Sequence, residues 1–232
     1  MSAAGALFHK AIEIDVILER GADLRSVCER AAVRMTQTDA GFASFWIALD
    51  GFDRAELVAE AGRRVGLFRD SFPPMARRWQ AQTELPLKVR LSTGCVVLSG
   101  TPDLVLGRRL RLIVDFKSGG AWPEHPQDGR FYALLSLLRT GIAPYRVATF
   151  FLQSGEWQAE DVSEETLALA SDRVVRAVST AARLAKGASP ELRPGPYCSW
   201  CPRAPECPAA RARSPTGEGL PDATPNRFAT ER

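Results

Sequence analysis

The sequence lacks any long apolar segment. No hydrophobic run reaches the roughly 18 to 20 residues that a membrane-spanning helix needs, and the first residues lack the basic and then apolar layout of a signal peptide. The formal net charge of +3 is small for 232 residues, so charge permits a nucleic-acid partner without predicting one. The chain also has no internal repeat. These absences argue against a membrane protein and a repeat array, and we expect a cytoplasmic protein.

Hydrophobic residues make up 45% of the chain, which is ample for a folded core. The length predicts one domain over residues 1–208. We divide this domain into a helical amino-terminal part (1–80), a core (81–187) and a cysteine-rich segment (188–208). Residues 209–232 are polar and carry Pro, Gly and Arg, so we predict a disordered tail there.

The segment from Leu98 to Lys117 predicts two strands joined by a tight turn at Gly107-Arg108-Arg109. Alternation along the second strand places Asp115 and Lys117 on the same face. If the hairpin pairs without a bulge, Asp103 lies opposite Asp115 or one register away, with Cβ atoms roughly 5 Å apart. Two carboxylates at that distance repel each other, and a raised pKa or a bound metal relieves the repulsion. The pattern predicts an Mg²⁺ or Mn²⁺ site, and its alternative is a hairpin with a solvated polar face.

Helical and strand patterns precede this hairpin. Residues 5–20 have the apolar spacing of a helix, which places His9 and Glu13 one turn apart. The other predicted elements are a helix at 23–35, a short strand or a buried helical turn at 42–50, and the first strand of the sheet at 84–91. The region 53–82 is mostly helical in composition and is broken near Phe72-Pro73-Pro74.

The elements after the hairpin predict a mixed α/β sheet. A Gly-rich loop is followed by a strongly periodic helix over 126–139, which places Asp128 and Tyr132 on one face. The apolar run 146–153 predicts a buried strand that is parallel to 110–117 across a right-handed crossover. A long helix begins after Ser163.

The pattern Pro102-Asp103, eleven residues, and then Asp115-Phe116-Lys117 resembles the core of the PD-(D/E)xK nucleases. The helix with Gly5 and His9 in G-x-x-x-H spacing resembles the one that precedes this core in the RecB-like branch. The resemblance implies an α/β, restriction-endonuclease-like fold with a central mixed β-sheet flanked by helices. It also implies an Mg²⁺- or Mn²⁺-dependent deoxyribonuclease, and more specifically an exonuclease. Its context would be DNA repair, recombination or CRISPR-related processing, with DNA as substrate and a helicase, repair or CRISPR protein as partner.

The same resemblance implies roles for particular residues. The implied metal ligands are His9, Asp103, Asp115 and the backbone carbonyl of Phe116. The implied catalytic residues are Lys117, Asp115, Asp103, Asp128 and Tyr132. The family carries Q-x-x-x-Y in the helix after the core, whereas this chain has Asp128 four residues before Tyr132, with Gln127 adjacent. Asp128 therefore either substitutes for the glutamine or caps the helix.

Cys198, Cys201 and Cys207 form a C-x₂-C-x₅-C triplet. Three clustered thiols in a cytosolic protein argue for metal or redox chemistry over disulfides. In RecB-like and CRISPR-associated nucleases this triplet and one distant cysteine ligate a [4Fe-4S] cluster, so the resemblance implies such a cluster here. No cysteine precedes His9, and we expect Cys28 and Cys95 to be core residues. Either the protein starts upstream, or the cluster is incomplete or lost, or Zn²⁺ binds three thiolates and another ligand.

A function from a different class is also compatible with the sequence. A catalytically silent DNA-binding or scaffold module of a repair or CRISPR complex would tolerate the missing glutamine and the missing fourth thiolate. The two hypotheses differ in one structural expectation, because only a nuclease requires His9, Asp103, Asp115 and Lys117 to converge.

Overall fold

The computed structural model describes residues 2–91, 94–120, 122, 125–195, 197–198 and 201–211. Residues 3–176 form one compact unit, and Ser2 together with the chain from Ala177 onward forms a second. The single domain over residues 1–208 stays a prediction. The first residues of the predicted tail lie in a short helix, Pro208–Arg211, and the tail from 212 onward lies outside the described residues.

Helices come first in the chain and strands follow. The elements are α1 (Ala3–Ile17), α2 (Leu24–Thr38), α3 (Ala40–Ala48), α4 (Gly51–Ser71), β1 (Gln82–Thr83), β2 (Leu87–Arg90), β3 (Val97–Gly100), β4 (Leu104–Leu106), β5 (Leu112–Lys117), α5 (His125–Thr140), β6 (Arg146–Phe151), β7 (Trp157–Asp161), α6 (Glu164–Ala185) and α7 (Pro208–Arg211). Helix α6 begins in the first unit and ends in the second. No helix within the described ranges is long and apolar enough to cross a membrane.

Aspartates set the starts of three consecutive helices. Asp23, Asp39 and Asp50 precede α2, α3 and α4, and each side chain accepts a hydrogen bond from the backbone N–H three residues later. This contact satisfies a donor that has no partner inside the helix. The segment predicted as a strand or a buried helical turn is therefore the helix α3, in which Phe42 is buried.

The main sheet has five strands in the order β1-β4-β5-β6-β7. Strands β5 and β6 are parallel, and helix α5 connects them, whereas the other neighbours are antiparallel. This mixed sheet flanked by helices confirms the predicted fold class. Strands β2 and β3 form a separate antiparallel pair.

Two strand predictions are wrong in their extent. The stretch 84–91 was expected to open the main sheet, but Glu84 has a left-handed backbone (φ 49°) that ends β1, and β2 pairs with β3 instead. The first strand of the predicted hairpin is also divided, since β3 and β4 lie in different sheets. Pro102 stands between them, and a proline cannot donate a backbone hydrogen bond to a ladder.

The turn between β4 and β5 is longer than the predicted Gly107-Arg108-Arg109, because residues 107–111 all lie between the strands. Gly107 has φ +84°, and a Cβ atom there would lie 2.3 Å from the carbonyl oxygen of Leu110. Only glycine fits this position without strain. The Gly107 N–H donates to the Trp79 carbonyl at 2.5 Å, which ties the turn to the segment before β1.

The two faces of β5 pack against different helices. Phe116 lies 5.6 Å from Phe68 of α4, ring centre to ring centre, and both contact Phe150 of β6 edge to face. On the opposite face Ile113 belongs to a buried cluster with Ala133 of α5. Side chains alternate along a strand, so Asp115 and Lys117 are directed toward α5 while Phe116 enters the core.

Candidate active site

The pairing of β4 with β5 brings two carboxylates together. Leu104 lies opposite Val114, and the same register one residue further places Asp103 opposite Asp115. Asp103 precedes the strand, and its Oδ2 accepts a 2.6 Å hydrogen bond from the backbone N–H of Phe116. The predicted juxtaposition of the two aspartates therefore holds, and the second strand itself orients the Asp103 carboxylate.

His9 of α1 reaches the same place from 94 residues away. Its Nδ1 lies 2.9 Å from Asp103 Oδ1, and both side chains are largely buried. Because an ionised carboxylate only accepts hydrogen bonds, Nδ1 donates in this pair. A neutral His9 then carries its free lone pair on Nε2, the nitrogen that is available to a metal.

Lys117 lies between two carboxylates. Its Nζ is 2.7 Å from Asp115 Oδ2 and 2.9 Å from Asp128 Oδ2, where Asp128 belongs to the first turn of α5. Burial alone lowers the pKa of Lys117, but the attraction of Asp115 and the hydrogen bond to Asp128 outweigh burial and leave this pKa raised. Lys117 is therefore an ammonium ion at neutral pH.

Asp115 is 6% exposed, and its environment disfavours the ionised form of the carboxyl group. Burial, and then repulsion by Asp103, raise the pKa of Asp115 to about 6 despite the attraction of Lys117. The contact between Lys117 Nζ and Asp115 Oδ2 is close but lacks hydrogen-bond geometry, so Oδ2 has no aligned donor among the described residues. Asp115 Oδ2 therefore meets the charge of Lys117 without an aligned hydrogen bond, and a bound metal cation would stabilise this oxygen further.

Tyr132 of α5 borders the site. Its hydroxyl donates a long hydrogen bond of 3.4 Å to the Thr101 carbonyl, and its ring packs against Gly100, where a Cβ atom would lie 2.8 Å from Tyr132 Cε1. Burial, with repulsion by Asp115 and Asp103, raises the pKa of Tyr132. Tyr132 thus keeps its hydroxyl proton at neutral pH and acts as a hydrogen-bond donor. Asp128 on the same helix contacts Lys117, a pairing that the sequence did not predict.

These side chains line one cavity of about 620 Å³. His9, Asp103, Asp115, Lys117 and Tyr132 all line it, whereas the predicted residue Asp128 does not line it and contacts Lys117 from outside the lining. The sequence interpretation missed Lys10, Trp122 and His125, which line the same cavity. Lys10 follows His9 directly, and the other two flank the Gly-rich loop, so proximity to predicted site residues was the available signal.

Glu84 adds a further carboxylate to the cavity. Burial, and then repulsion by Asp103 and Glu13, raise the pKa of Glu84. Its backbone N–H donates to the Asp103 carbonyl at 3.1 Å. The acidic residues Glu84, Asp103 and Asp115 therefore share the cavity with Lys117 and Lys10.

The side chains of the cavity offer carboxylate and imidazole ligands for a divalent cation. Within the described ranges, no three His, Cys, Asp or Glu side chains stand in an arrangement that could hold a metal ion. His9 is bonded to Asp103, and Lys117 contacts Asp115. The chemistry nevertheless fits, because paired carboxylates with an imidazole suit Mg²⁺ or Mn²⁺ and because the buried Asp115 Oδ2 has no aligned hydrogen-bond donor.

The cysteine triplet lies in the second unit. Cys198, Cys201 and Cys207 are free thiols, and they form no metal-holding group within the part of the chain that the structure describes. Cys28 is buried as predicted, and burial raises its pKa to about 12. Cys95 is exposed in the turn after β2, so its prediction as a core residue is wrong. Cys95 lies in the connection between β2 and β3, outside both strands.

The fold and the cavity define an α/β protein of the restriction-endonuclease-like class. The chain belongs to the PD-(D/E)XK nuclease superfamily, because the model of that family matches residues 1–208. This match confirms the family resemblance that the residues around Asp103, Asp115 and Lys117 indicated. A comparison with curated proteins found no match.

Two solved structures share part of the fold at low similarity. A crystal structure described as a "Putative exonuclease" from Eubacterium rectale is 14% identical with a TM-score of 0.43, and the likeness covers 72% of this chain and 64% of that one. A protein named SSO0001 is 13% identical with a TM-score of 0.37, over 77% of this chain and 81% of its own. The chain thus spans less than two thirds of the E. rectale protein. At these TM-scores neither likeness bears on function.

Proposed function

We propose that this chain is a metal-dependent deoxyribonuclease that acts as an exonuclease and hydrolyses phosphodiester bonds. The observation that carries the proposal is the convergence of His9, Asp103, Asp115 and Lys117 on one cavity, from a helix and two paired strands. Neither a packing role nor a solvated hairpin face explains a buried aspartate beside a second carboxylate, since both charges would be better hydrated at the surface.

The metal ligands in this proposal are His9, Asp103, Asp115 and the backbone carbonyl of Phe116. A bound Mg²⁺ or Mn²⁺ supplies a Lewis acid for the phosphate and a water of lowered pKa. Cation binding would relieve the repulsion between Asp103 and Asp115 that raises the pKa of Asp115. The Phe116 N–H would continue to orient Asp103 through the 2.6 Å hydrogen bond.

Lys117 acts electrostatically in this proposal. Its raised pKa keeps the side chain an ammonium ion, which cannot accept a proton from the attacking water. The ammonium instead positions that water and stabilises the additional negative charge on the pentavalent phosphate. The 2.9 Å contact with Asp128 holds the lysine at the cavity.

Asp128 and Tyr132 have supporting roles on the same helix. Asp128 replaces the family glutamine and fixes Lys117. Tyr132 would exchange its long hydrogen bond to the Thr101 carbonyl for one to a substrate oxygen in the cavity. Both side chains come from α5, which joins the parallel strands β5 and β6. Their placement supports a role in positioning the substrate.

The biological setting of the proposal follows from the family. DNA is the substrate, and the reaction belongs to DNA repair, recombination or CRISPR-related processing with a helicase or repair protein as partner. The Cys198, Cys201 and Cys207 triplet binds a [4Fe-4S] cluster in this proposal, with a fourth ligand that the described residues do not identify. The proposed role of the cluster is structural, because it would cross-link Cys198, Cys201 and Cys207 within the second compact unit.

A catalytically silent DNA-binding or scaffold module is the second candidate. The observation that favours it is the mutual pairing of the site residues, since His9 is bonded to Asp103 and Lys117 contacts both Asp115 and Asp128. Such pairs can stabilise a fold without any catalysis. The two candidates differ in whether DNA is cleaved.

A digestion assay separates them. Purified protein is incubated with linear single-stranded, linear double-stranded and circular DNA in Mn²⁺, and we expect cleavage of linear DNA that EDTA abolishes. Asp115→Ala should be inactive, whereas Asp172→Ala should be active, because Asp172 is an exposed aspartate of α6. Equal activity of wild type and Asp115→Ala would assign the cleavage to a contaminant or another site. Cleaved circles would point to an endonuclease.

A further inference from the structure

A second cavity, of about 590 Å³, lies at the other end of β5 from Lys117. We call it the distal cavity. Its walls are residues 72–73, residues 78–79, the turn residues 107–110 with Leu106 and Leu112 beside them, and Tyr145, which immediately precedes β6. Strand β5 runs from Leu112 beside this cavity to Lys117 at the candidate active site. Leu112 and Lys117 are five residues apart, which at about 3.3 Å per residue corresponds to roughly 17 Å along the strand.

Arginines without partners surround the distal cavity. Arg78, Arg108 and Arg109 line it and are exposed, and none of them forms an ion pair or a side-chain hydrogen bond with the described residues. Arg77 nearby pairs with Glu19 at 3.5 Å. No acidic side chain lines the cavity within the described ranges. The three guanidinium groups therefore create a positive field that nothing described neutralises.

Aromatic rings lie among these charges. Trp79 is half-buried and lines the cavity, and Tyr145 is 46% exposed with the Arg146 guanidinium 5.9 Å from its ring centre. Leu110 at the tip of the turn is 77% exposed. Sites that hold single-stranded nucleic acid combine rings on which bases stack with guanidinium groups that contact phosphates.

The cavity is held in shape by the backbone. The Gly107 N–H donates to the Trp79 carbonyl, and the Tyr145 N–H donates to the Arg111 carbonyl at 3.0 Å. These bonds join the segment 77–79, the turn 107–111 and the start of β6. The arginines and aromatic rings therefore lie on segments that backbone hydrogen bonds connect. Substituting their side chains leaves these backbone hydrogen bonds in place.

We propose that the distal cavity binds a single-stranded nucleic acid through phosphate contacts from Arg78, Arg108 and Arg109 and through base stacking on Tyr145 and Trp79. This inference rests on the proposed nuclease function, which identifies the bound nucleic acid as the single-stranded part of the DNA substrate. The cavity lies outside the reacting centre, so it contributes to affinity and not to the chemical step.

The first experiment measures binding without cleavage. The anisotropy of a fluorescent oligothymidine is followed in EDTA over a series of salt concentrations. For single strands, the slope of log affinity against log salt is about −0.7 per neutralised phosphate. We expect the triple variant Arg78→Gln, Arg108→Gln, Arg109→Gln to lower the steepness of that slope by about 2.

The matched control removes the same charge elsewhere. Arg30, Arg34 and Arg173 are exposed helix residues without side-chain partners among the described residues. The triple glutamine variant at these positions should keep the wild-type slope. Equal slopes for the distal-cavity variant and the wild type would overturn the proposal and would indicate that the arginines serve another ligand, such as an acidic protein segment.

The second experiment tests stacking. Tyr145→Ala should weaken oligothymidine binding by about tenfold, as expected for the loss of one stacked base, whereas Tyr145→Phe keeps the ring and should bind as the wild type does. Equal binding by the Ala and Phe variants would remove Tyr145 from the site. Both variants keep the backbone bonds of Tyr145, and circular dichroism verifies the fold.

The two proposals fail in different ways. If wild-type protein cleaves DNA but the distal variants bind oligothymidine normally, the nuclease assignment stands and the distal cavity is not a DNA site. If the distal variants lose binding but no protein cleaves DNA, the distal cavity stands and the catalytic assignment fails. Cleavage kinetics on short and long oligonucleotides also distinguish the two proposals. The distal variants should raise KM for long strands without lowering kcat.

Discussion

Asp103 Oδ2 accepts a 2.6 Å hydrogen bond from the backbone N–H of Phe116. This bond crosses from the entrance of β4 to the penultimate residue of β5. It orients the Asp103 carboxylate beside Asp115 and leaves the other oxygen, Oδ1, to His9. One side chain therefore has a structural and a proposed catalytic task, and substitutions can separate the two.

Asp103→Asn should keep the fold and lose activity. The amide oxygen still accepts the Phe116 N–H, so urea unfolding should give a free energy within about 1 kcal/mol of the wild type. Loss of the charge should lower Mn²⁺-dependent cleavage by about a hundredfold or more. Asp103→Ala also leaves the Phe116 N–H without its acceptor. This variant should lower the free energy of unfolding by about 1–3 kcal/mol more than Asp103→Asn does. An Asn variant with wild-type cleavage would remove Asp103 from the metal site.

Lys117→Ala should lower the rate of cleavage and spare binding. The ammonium stabilises the transition state in the proposed mechanism, so we expect kcat to fall by about 10²–10³, with oligonucleotide affinity in EDTA changed by less than about threefold. Lys88→Ala is the matched control, because Lys88 is an exposed lysine of β2. Asp128→Asn removes one of the two carboxylates that hold Lys117 and should give a smaller loss of kcat. An unchanged kcat in Lys117→Ala would exclude the lysine from the mechanism.

Asp115→Asn should stabilise the metal-free protein at neutral pH. The folded-state pKa of Asp115, about 6, lies above its ordinary value of 3.8 because of burial. Folding therefore favours the protonated form, and the stability that it confers is present below about pH 4 and is lost as the pH rises to about 6. Asparagine mimics the protonated form at every pH.

The measurement is urea unfolding of both proteins in EDTA across that pH range. The stability advantage of Asp115→Asn should grow by up to about 3 kcal/mol between pH 4 and pH 7. Mn²⁺ should then raise the unfolding free energy of the wild type more than that of the variant. A difference in unfolding free energy that stays constant across this pH range would show that the pKa of Asp115 is not raised in the folded protein.

Gly107→Ala should destabilise the protein by about 2 kcal/mol or more. The residue has φ +84°, and the new Cβ would meet the Leu110 carbonyl oxygen at 2.3 Å, so both backbone strain and a steric clash oppose the substitution. Gly51→Ala is the control, since a Cβ there meets nothing within 4 Å. Thermal or urea unfolding measures both. A Gly107→Ala protein as stable as Gly51→Ala would mean that the turn has another conformation in solution.

The cysteine triplet should bind iron. After anaerobic reconstitution with iron and sulfide, the wild type should be brown, and Cys201→Ser should lose the colour and the iron. Cys95→Ser is the matched control because Cys95 is exposed and lies in the other compact unit. Iron, sulfide and zinc analysis distinguishes the cluster from a Zn²⁺ site. Loss of iron in Cys95→Ser would instead identify Cys95 as the missing fourth ligand.

The sequence by itself determined the local features of this protein. The period-2 pattern of β5 placed Asp115 and Lys117 on one face, and the helix between two apolar strands predicted the parallel pair β5 and β6. Short-range geometry suffices for such features, because alternation along a strand and the handedness of a crossover depend on few neighbouring residues. The spacing of Asp103 from Asp115 similarly predicted their juxtaposition across a hairpin.

Only the tertiary structure decided which distant segments meet. It paired β2 with β3 instead of the main sheet and bound Lys117 to Asp128. It also joined His9 directly to Asp103 across 94 residues, where the family resemblance had implied only that the two bind one metal. The distal cavity likewise joins three separate segments. Local periodicity cannot predict these contacts, because strand partners and long-range side-chain pairs are selected by competition among registers and by packing of the whole core.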